Sequence, residues 1–302
     1  MHFNAISGVF KKTVALATVA GWVSFLLSIV PKSTTRAQVW GGMERIVEPE
    51  LMDDPLQART YAEADFDRSD QAFTERFLVL LGQPFPRPGP PALGSGPGTG
   101  PGYCPGWDAG AGIVDLGCGP GNISFRLAAA LPRARMLGLD GAASMVALAA
   151  EHQQRHPDAW PQLRFQQLKL PLADPAALGG PFAAVVSNSL LHHLHDPQVL
   201  WQAVGQLAAP GATIYIKDLR RPASAAAADA LTERHAAGAP AVLRRDFRAS
   251  LAAAFTAAEV EAQLAQAAQL WGAAGTPGTN WPAFTVAEVE DRYLEIHGRW
   301  LG

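Results

Sequence analysis

Residues 112–131 read G-I-V-D-L-G-C-G-P-G-N-I-S-F-R-L-A-A-A-L: a short apolar run, an acid, three glycines at alternate positions, then an apolar pattern at helical spacing. Ile113, Val114 and Leu116 have the pattern of a buried parallel strand, and Ile123, Leu127, Ala128 and Leu131 recur with helical period until Pro132 stops them. Gly117, Gly119 and Gly121 fall in the turn between. There a missing Cβ allows positive φ and lets a ligand approach the backbone closely.

Spacing and charge narrow the ligand. The dinucleotide pattern G-x-G-x-x-G would need a glycine where Asn122 stands, and the phosphate-cradling G-x-x-x-x-G-K-[ST] is absent. Asp115, directly before the loop, would repel a pyrophosphate at close range and attract a cation.

The order acid, G-x-G-x-G, helix resembles the first motif of the class I S-adenosylmethionine-dependent methyltransferases, whose cofactor carries a sulfonium and an ammonium; V-D-L-G-C-G-P-G-N-I-S matches it closely. A turn that merely packs a helix on a sheet would explain neither Asp115 nor the motifs downstream. Residues 134–140, A-R-M-L-G-L-D, read as a second strand ending in an acid about 20 residues past the loop, where a carboxylate can take both ribose hydroxyls of an adenosine. Capping of the next helix is the other reading of Asp140, but L-D-G-A-A-S-M resembles the family's second motif and favours the ribose role.

Residues 163–168 read as a third strand that runs into K-L-P-L. The family usually carries an acid at that turn; Lys169 stands here and Asp174 comes later, so the resemblance implies an adenine contact through the backbone at Leu170. A fourth strand, F-A-A-V-V-S-N over 182–188, precedes S-L-L-H-H-L-H-D-P. Ligands of open α/β sheets bind beyond the carboxyl ends of the strands, which places Asn188, Ser189, His192 and His193 where cofactor and acceptor should meet. For S-adenosylmethionine the implied contacts are thus Asp115, Gly117, Cys118, Gly119, Gly121, Asp140, Gly141, Met145, Lys169, Leu170, Asn188 and Ser189.

A helix over 197–208 and a fifth strand over 213–216, behind Pro210-Gly211, complete a repeated strand–helix alternation. That alternation predicts an α/β fold with a doubly wound, Rossmann-like, mostly parallel sheet. Strand signals vanish over 223–270, an Ala-rich helical block placed where family members carry an insertion over the active site. Two short strands, 284–289 and 293–296, turn about 290–292 and resemble the family's antiparallel closing hairpin.

The methyltransferase domain is accordingly expected over 113–302, with a helical cap at about 223–270. Before it, residues 43–82 form a helical lead-in. Phe73, Phe77, Leu78 and Leu81 lie on neighbouring turns of a helix over 69–81, capped by Ser69 or Asp67. In the resembled family such a lead-in often covers the cofactor, which makes Tyr61 and Phe66 lid candidates; core or surface aromatics is the plainer reading. Residues 83–112, rich in Pro and Gly, cannot build a packed core and read as a flexible insertion.

Residues 1–42 read first as a disordered extension or mis-assigned start ahead of Met43, second as a membrane anchor and third as a cleaved signal. Membrane contact is confined to the uncharged run 13–30. As a helix it would be about 27 Å long, marginal for a hydrocarbon core of ~30 Å.

The chain has 302 residues, 48% hydrophobic and 17% charged, enough to bury a sizeable core. A formal net charge of −3 argues against broad electrostatic binding of nucleic acid. Arg244, Arg245 and Arg248 read as a solvated helix face, and Asp218, Arg220 and Arg221 as an anion contact or an ion pair among themselves. Cys104 and Cys118 are too few for a disulfide framework and fit a reducing, cytoplasmic setting.

Methyl transfer from a sulfonium is an in-line displacement in which positioning and exclusion of water can supply much of the acceleration. A protonated hydroxyl, phenol or amine acceptor needs a base, for which His192 or His193 is best placed; packing or helix capping is the plainer role for such a pair. No Cys or His motif completes a four-ligand set around His192, His193 and His195, so no metal is expected. The turn after the fourth strand lacks the proline-aromatic and Pro-Cys signatures that the nucleic-acid enzymes of the resembled superfamily carry, and with no basic stripe a small-molecule or lipid-like acceptor is the better reading. The main alternative is a catalytically silent S-adenosylmethionine-binding module, a sensor or partner subunit; a nicotinamide enzyme is disfavoured by the glycine spacing and Asp115.

Overall fold

The computed structural model of the chain describes residues 42–49, 51–82, 111–273 and 281–301. The apolar run 13–30, Cys104 and the Pro/Gly-rich stretch up to residue 110 lie outside the described residues. Two helices, α1 (Pro55–Ala62) and α2 (Asp67–Leu80), precede β1 (Gly112–Leu116). Then come α3 (Asn122–Ala130), β2 (Arg135–Asp140), α4 (Ala143–Arg155), β3 (Leu163–Gln167), β4 (Phe182–Asn188), α5 (Gln198–Leu207) and β5 (Ala208–Leu219). The chain closes with α6 (Ala225–Ala236), α7 (Ala241–Ala253), α8 (Ala257–Ala273), β6 (Thr285–Val289) and β7 (Tyr293–Arg299).

The seven strands form one sheet in the order β3-β2-β1-β4-β5-β7-β6. The first five are parallel, and β7 and β6 add antiparallel at the edge. This is the expected doubly wound sheet with its closing hairpin. Because successive residues of a strand point to opposite faces, Ile113 and Val114 feed different cores, as do Tyr215 and Ile216. On one face Val114, Val185 and Ile216 pack with Trp201 of α5; on the other Ile113, Val186 and Tyr215 pack with Phe73 and Phe77 of α2.

Several expectations shift. The lead-in contains an additional helix, α1, which Asp54 caps by accepting the Gln57 N–H at 2.8 Å behind Pro55 at the first helical position. Neither Ser69 nor Asp67 caps α2: Phe66 holds the N-cap position, and Asp67 lies in the first turn beside its positive end. Strand β5 runs far beyond 213–216, because antiparallel pairing with β7 carries it through Lys217, Asp218 and Leu219.

The helical block after β5 also divides. Helices α6 and α7 pack with Leu219, Met43 and Tyr293 near the carboxyl end of β5. Helix α8 leaves them and lies against α5, because Val260, Leu264 and Ala267 make a stripe at helical spacing that is buried on the sheet face. Arg244 and Arg248 lie on a solvated face as expected, paired with Glu233 and Asp229.

The lead-in is fastened to the body. Arg45 donates from Nε to the Ala253 carbonyl at 2.6 Å and from Nη2 to the carbonyls of His192 and Leu194 at 3.1 and 3.0 Å, with its guanidinium carbon 3.9 Å from the centre of the Phe255 ring. The Met43 and Ile46 amides donate to Ala223 and Ala252. Among the described residues no helix is long and apolar enough to cross a membrane.

Candidate active site

A cavity of about 310 Å³ opens at the carboxyl ends of β1 and β2, within the size range of small-molecule and cofactor pockets. Of the residues expected to hold a cofactor, Gly117, Asp140, Gly141, Lys169 and Leu170 line it. Its apolar walls are Leu116, Leu139, Leu168, Leu190, Leu194 and Val199, and Leu51 of the lead-in closes one side. A Cβ on Gly119 would meet nothing within 4 Å, so the backbone there faces open space.

Asp140 ends β2 with both carboxylate oxygens engaged by backbone: Oδ2 accepts the Gly119 N–H and Oδ1 the Ala142 N–H, each at 2.8 Å. Asp140 does not cap α4, whose N-cap is Ala142 without a side-chain cap bond; it ties the glycine loop to the turn before α4 while lining the cavity. A carboxylate has about four lone-pair sites, so the two bonds leave capacity for two incoming hydroxyls. Burial raises its pKa, and the two N–H donors oppose that rise.

The remaining expected residues surround this cavity without lining it. Cys118 is buried, its amide donating to the Leu139 carbonyl at 3.0 Å. Gly121 begins α3 with φ 92°. Met145 packs with Ala58 and Ala142 between α4 and α1. Asn188 ends β4 and Ser189 follows in the left-handed region at φ 59°, its amide donating to the Lys217 carbonyl at 2.9 Å.

Asp115 is 1% exposed and turns beneath α3, where Oδ2 accepts the Ser124 hydroxyl at 2.7 Å and Oδ1 has no hydrogen-bond partner. Burial lifts its carboxyl to about 7 against the pull of Ser124, and the nearby Asp140 and Asp70 push the same way as burial. Tyr61, against Phe66 at 4.8 Å between ring centres, is held above its ordinary value by burial and then by Asp70, Tyr293, Asp140 and Asp218. Tyr61 packs with Ala58, Ala142 and Met145 where α1 meets α4.

The histidine pair lies in a buried polar cluster outside the cavity lining. His192 Nδ1 sits 2.7 Å from Asp218 Oδ1, and Asp218 Oδ2 accepts the Leu191 N–H at 2.7 Å. Glu48 of the lead-in reaches the other side, with Oε1 3.5 Å from His192 Nε2 and 3.3 Å from His193 Nδ1. Burial drives the His193 imidazole down to about 3, helped by the charge of His192; His192 moves up because Asp218 and Glu48 outweigh its burial. Burial likewise raises the Glu48 carboxyl.

Residues 114–214 match the family described as a methyltransferase domain. Residues 114–214 are a methyltransferase domain. A trans-aconitate 2-methyltransferase of Deinococcus radiodurans is 36% identical over 107 residues, covering 35% of this chain and 37% of that protein. An uncharacterized methyltransferase of Mycobacterium bovis is 31% identical over 104 residues, covering 34% and 48%. The chain thus spans less than half the length of the curated relatives it matches. The plantazolicin methyltransferase BamL, solved with SAH and a triazolic desmethylPZN analog, shares the fold with a TM-score of 0.55 at 12% identity, over 82% of this chain and 92% of that one. A SAM-dependent methyltransferase from Aquifex aeolicus does so with a TM-score of 0.50 at 15% identity, over 82% and 98%.

Glu48 and Asp70 of the lead-in carried no local motif; a buried acid facing a histidine pair or a second acid is visible only after folding. Asp218, Arg220 and Arg221 do not pair with one another. Asp218 holds His192, Arg220 pairs with Glu288, and Arg221 pairs with Glu259 at 2.6 Å.

Asp115 of the methyltransferase domain also sets a pH dependence. Its folded value near 7 lies above the ordinary 3.8, so between about pH 4 and 7 the folded chain keeps a proton that the unfolded chain has released. Stability contributed by this group is complete below that window and falls as pH rises through it. Urea unfolding at pH 5 and pH 7.5 should show the natural chain losing more stability than Asp115→Asn. Asp70, lifted to about 6 by burial, adds a fall of the same sign to both, so the difference between the two proteins is the readout. Equal losses would mean that Asp115 is ionised in the fold.

Proposed function

We propose that the chain transfers the methyl group of S-adenosylmethionine to a small-molecule acceptor. The observation that carries this reading is the Asp140 carboxylate, fixed by two backbone N–H groups at the edge of the cavity with lone pairs to spare. Asp140 takes the ribose hydroxyls, and Leu168, Leu170 and Val199 offer apolar walls to the adenine. The open backbone at Gly119 receives the methionine portion. Bound there, S-adenosylmethionine supplies an electrophilic methyl group.

The chain's own part is to hold the acceptor in line and exclude water. Asn188 and Ser189 at the end of β4 and Lys217 and Tyr293 beside the end of β5 surround the acceptor end; the Lys217 ammonium lies 4.3 Å from the Tyr293 ring centre and is paired to Glu290. Tyr61 and Phe66 close over this end. His192 and His193 act as a base here only if Glu48 withdraws from them, so we assign the main acceleration to positioning.

The test is a methyl-transfer assay with labelled S-adenosylmethionine and a panel of small carboxylic acids, phenols and amines. Trans-aconitate comes first because two of the curated relatives, matched over about a third of this chain, carry that name. Label entering one acceptor class with matching release of S-adenosylhomocysteine is the expected result. Calorimetric binding of both adenosyl ligands without turnover on the panel would favour the silent module instead. Absence of binding would overturn both.

A further inference from the structure

We propose that Glu48, His192 and His193 form a divalent-metal site of the zinc type that clasps the lead-in segment to the turn after β4. The two histidines are neighbours in sequence, but the third ligand arrives from far upstream in the chain. The donor atoms of the three side chains all lie within 4.8 Å of one another. Ligands at about 2.0–2.1 Å from a tetrahedral zinc are separated by about 3.3–3.4 Å. The two distances from Glu48 Oε1, 3.5 Å to His192 Nε2 and 3.3 Å to His193 Nδ1, are close to those edges.

The proton positions sharpen the case. Asp218 is an acceptor at 2.7 Å from His192 Nδ1, which places the proton on Nδ1 and a lone pair on Nε2. The His193 ring donates to the Pro49 carbonyl, and its buried Nδ1 has no hydrogen-bond partner, so that nitrogen also carries a lone pair. Two lone pairs and a carboxylate oxygen therefore converge on one buried spot. One proton could bridge Glu48 to only one of the rings and would leave the other facing the carboxylate; a cation satisfies all three.

The surroundings are those of a metal site rather than a chance cluster. Asp218 on the far nitrogen of His192 is the carboxylate–histidine arrangement that orients metal ligands, and Pro49 and Ser250, the latter donating to Glu48 Oε1 at 3.0 Å, hold the other two. Two imidazoles and one carboxylate suit zinc better than magnesium or calcium, and three protein ligands leave a fourth position for water. An ion here would occupy the Nε2 lone pair of His192, so the pair would serve as ligands rather than as a base. The inference stands apart from methyl transfer.

Full-length protein without a polyhistidine tag, stripped with chelator, provides the test. Titration with cobalt(II) should produce the strong visible absorption of a four-coordinate site, saturating at one ion per chain and displaced by zinc. Zinc, and not magnesium, should raise the unfolding temperature of the natural protein, an arm that needs no variant. Asp218→Asn should weaken binding about 10–100-fold as loss of an outer partner does, and Glu48→Ala or His193→Ala by more. No cobalt band and no zinc-dependent stabilisation would overturn the proposal, as would a band that persists unchanged in both ligand variants.

Discussion

Asp140→Ala is expected to lower the affinity for S-adenosylmethionine about 100-fold. The carboxylate should accept two ribose hydroxyls, and hydrogen bonds to a charged group contribute about 1.5–3 kcal/mol each before solvent exchange and non-additivity reduce the sum. A net loss of about 3 kcal/mol corresponds to about two decades in Kd. The substitution also frees the Gly119 and Ala142 amides, so part of the loss comes from a loosened loop. Calorimetry with S-adenosylhomocysteine, alongside urea unfolding, separates the two contributions. A change below threefold would mean that the ribose lies elsewhere and that Asp140 serves only the backbone.

Gly121→Ala should destabilise the fold by about 2–4 kcal/mol, a large part of the 5–15 kcal/mol of a typical domain. Gly121 has φ 92°, where an L side chain is strained, at a cost of about 1–3 kcal/mol. A Cβ there would also stand 2.7 Å from Phe125 Cε2 and 2.8 Å from Phe165 Cζ. Those rings cannot retreat freely, because Phe125 packs against Phe165, Trp160 and His152 at 4.6–5.2 Å between ring centres. Overpacking of this kind adds about 1–3 kcal/mol. Gly119→Ala is the contrast: it shares a positive φ but meets nothing within 4 Å, so it should cost less stability and chiefly obstruct the cofactor. Equal urea midpoints for the two variants would refute the packing argument.

These two positions show how much of the site was legible in the chain. The glycine loop and the acid ending β2 lie within about two dozen positions of one another, so their spacing marks both; that the Gly119 amide donates to Asp140 is added by the structure. The mostly parallel sheet and its antiparallel closing hairpin follow from strand–helix alternation in the same way, while the order of the strands is added by the structure. Less local features read less well. Lys217 and Asp218 looked like residues beyond the end of β5, yet pairing with β7 extends the strand through them and buries both.

By itself the sequence determined the parallel sheet, the glycine loop that begins α3 and the closing hairpin. Each depends on periodicity or on turn chemistry between near neighbours. Only the tertiary structure decided that α8 leaves the helical block for the sheet face, that Asp115 turns beneath α3 towards Ser124, and that Glu48 meets His192 and His193. Those outcomes depend on which apolar stripe finds a partner surface and which polar groups are buried together. The energies that select them arise between segments separated by many tens of residues, where no local pattern records the partner.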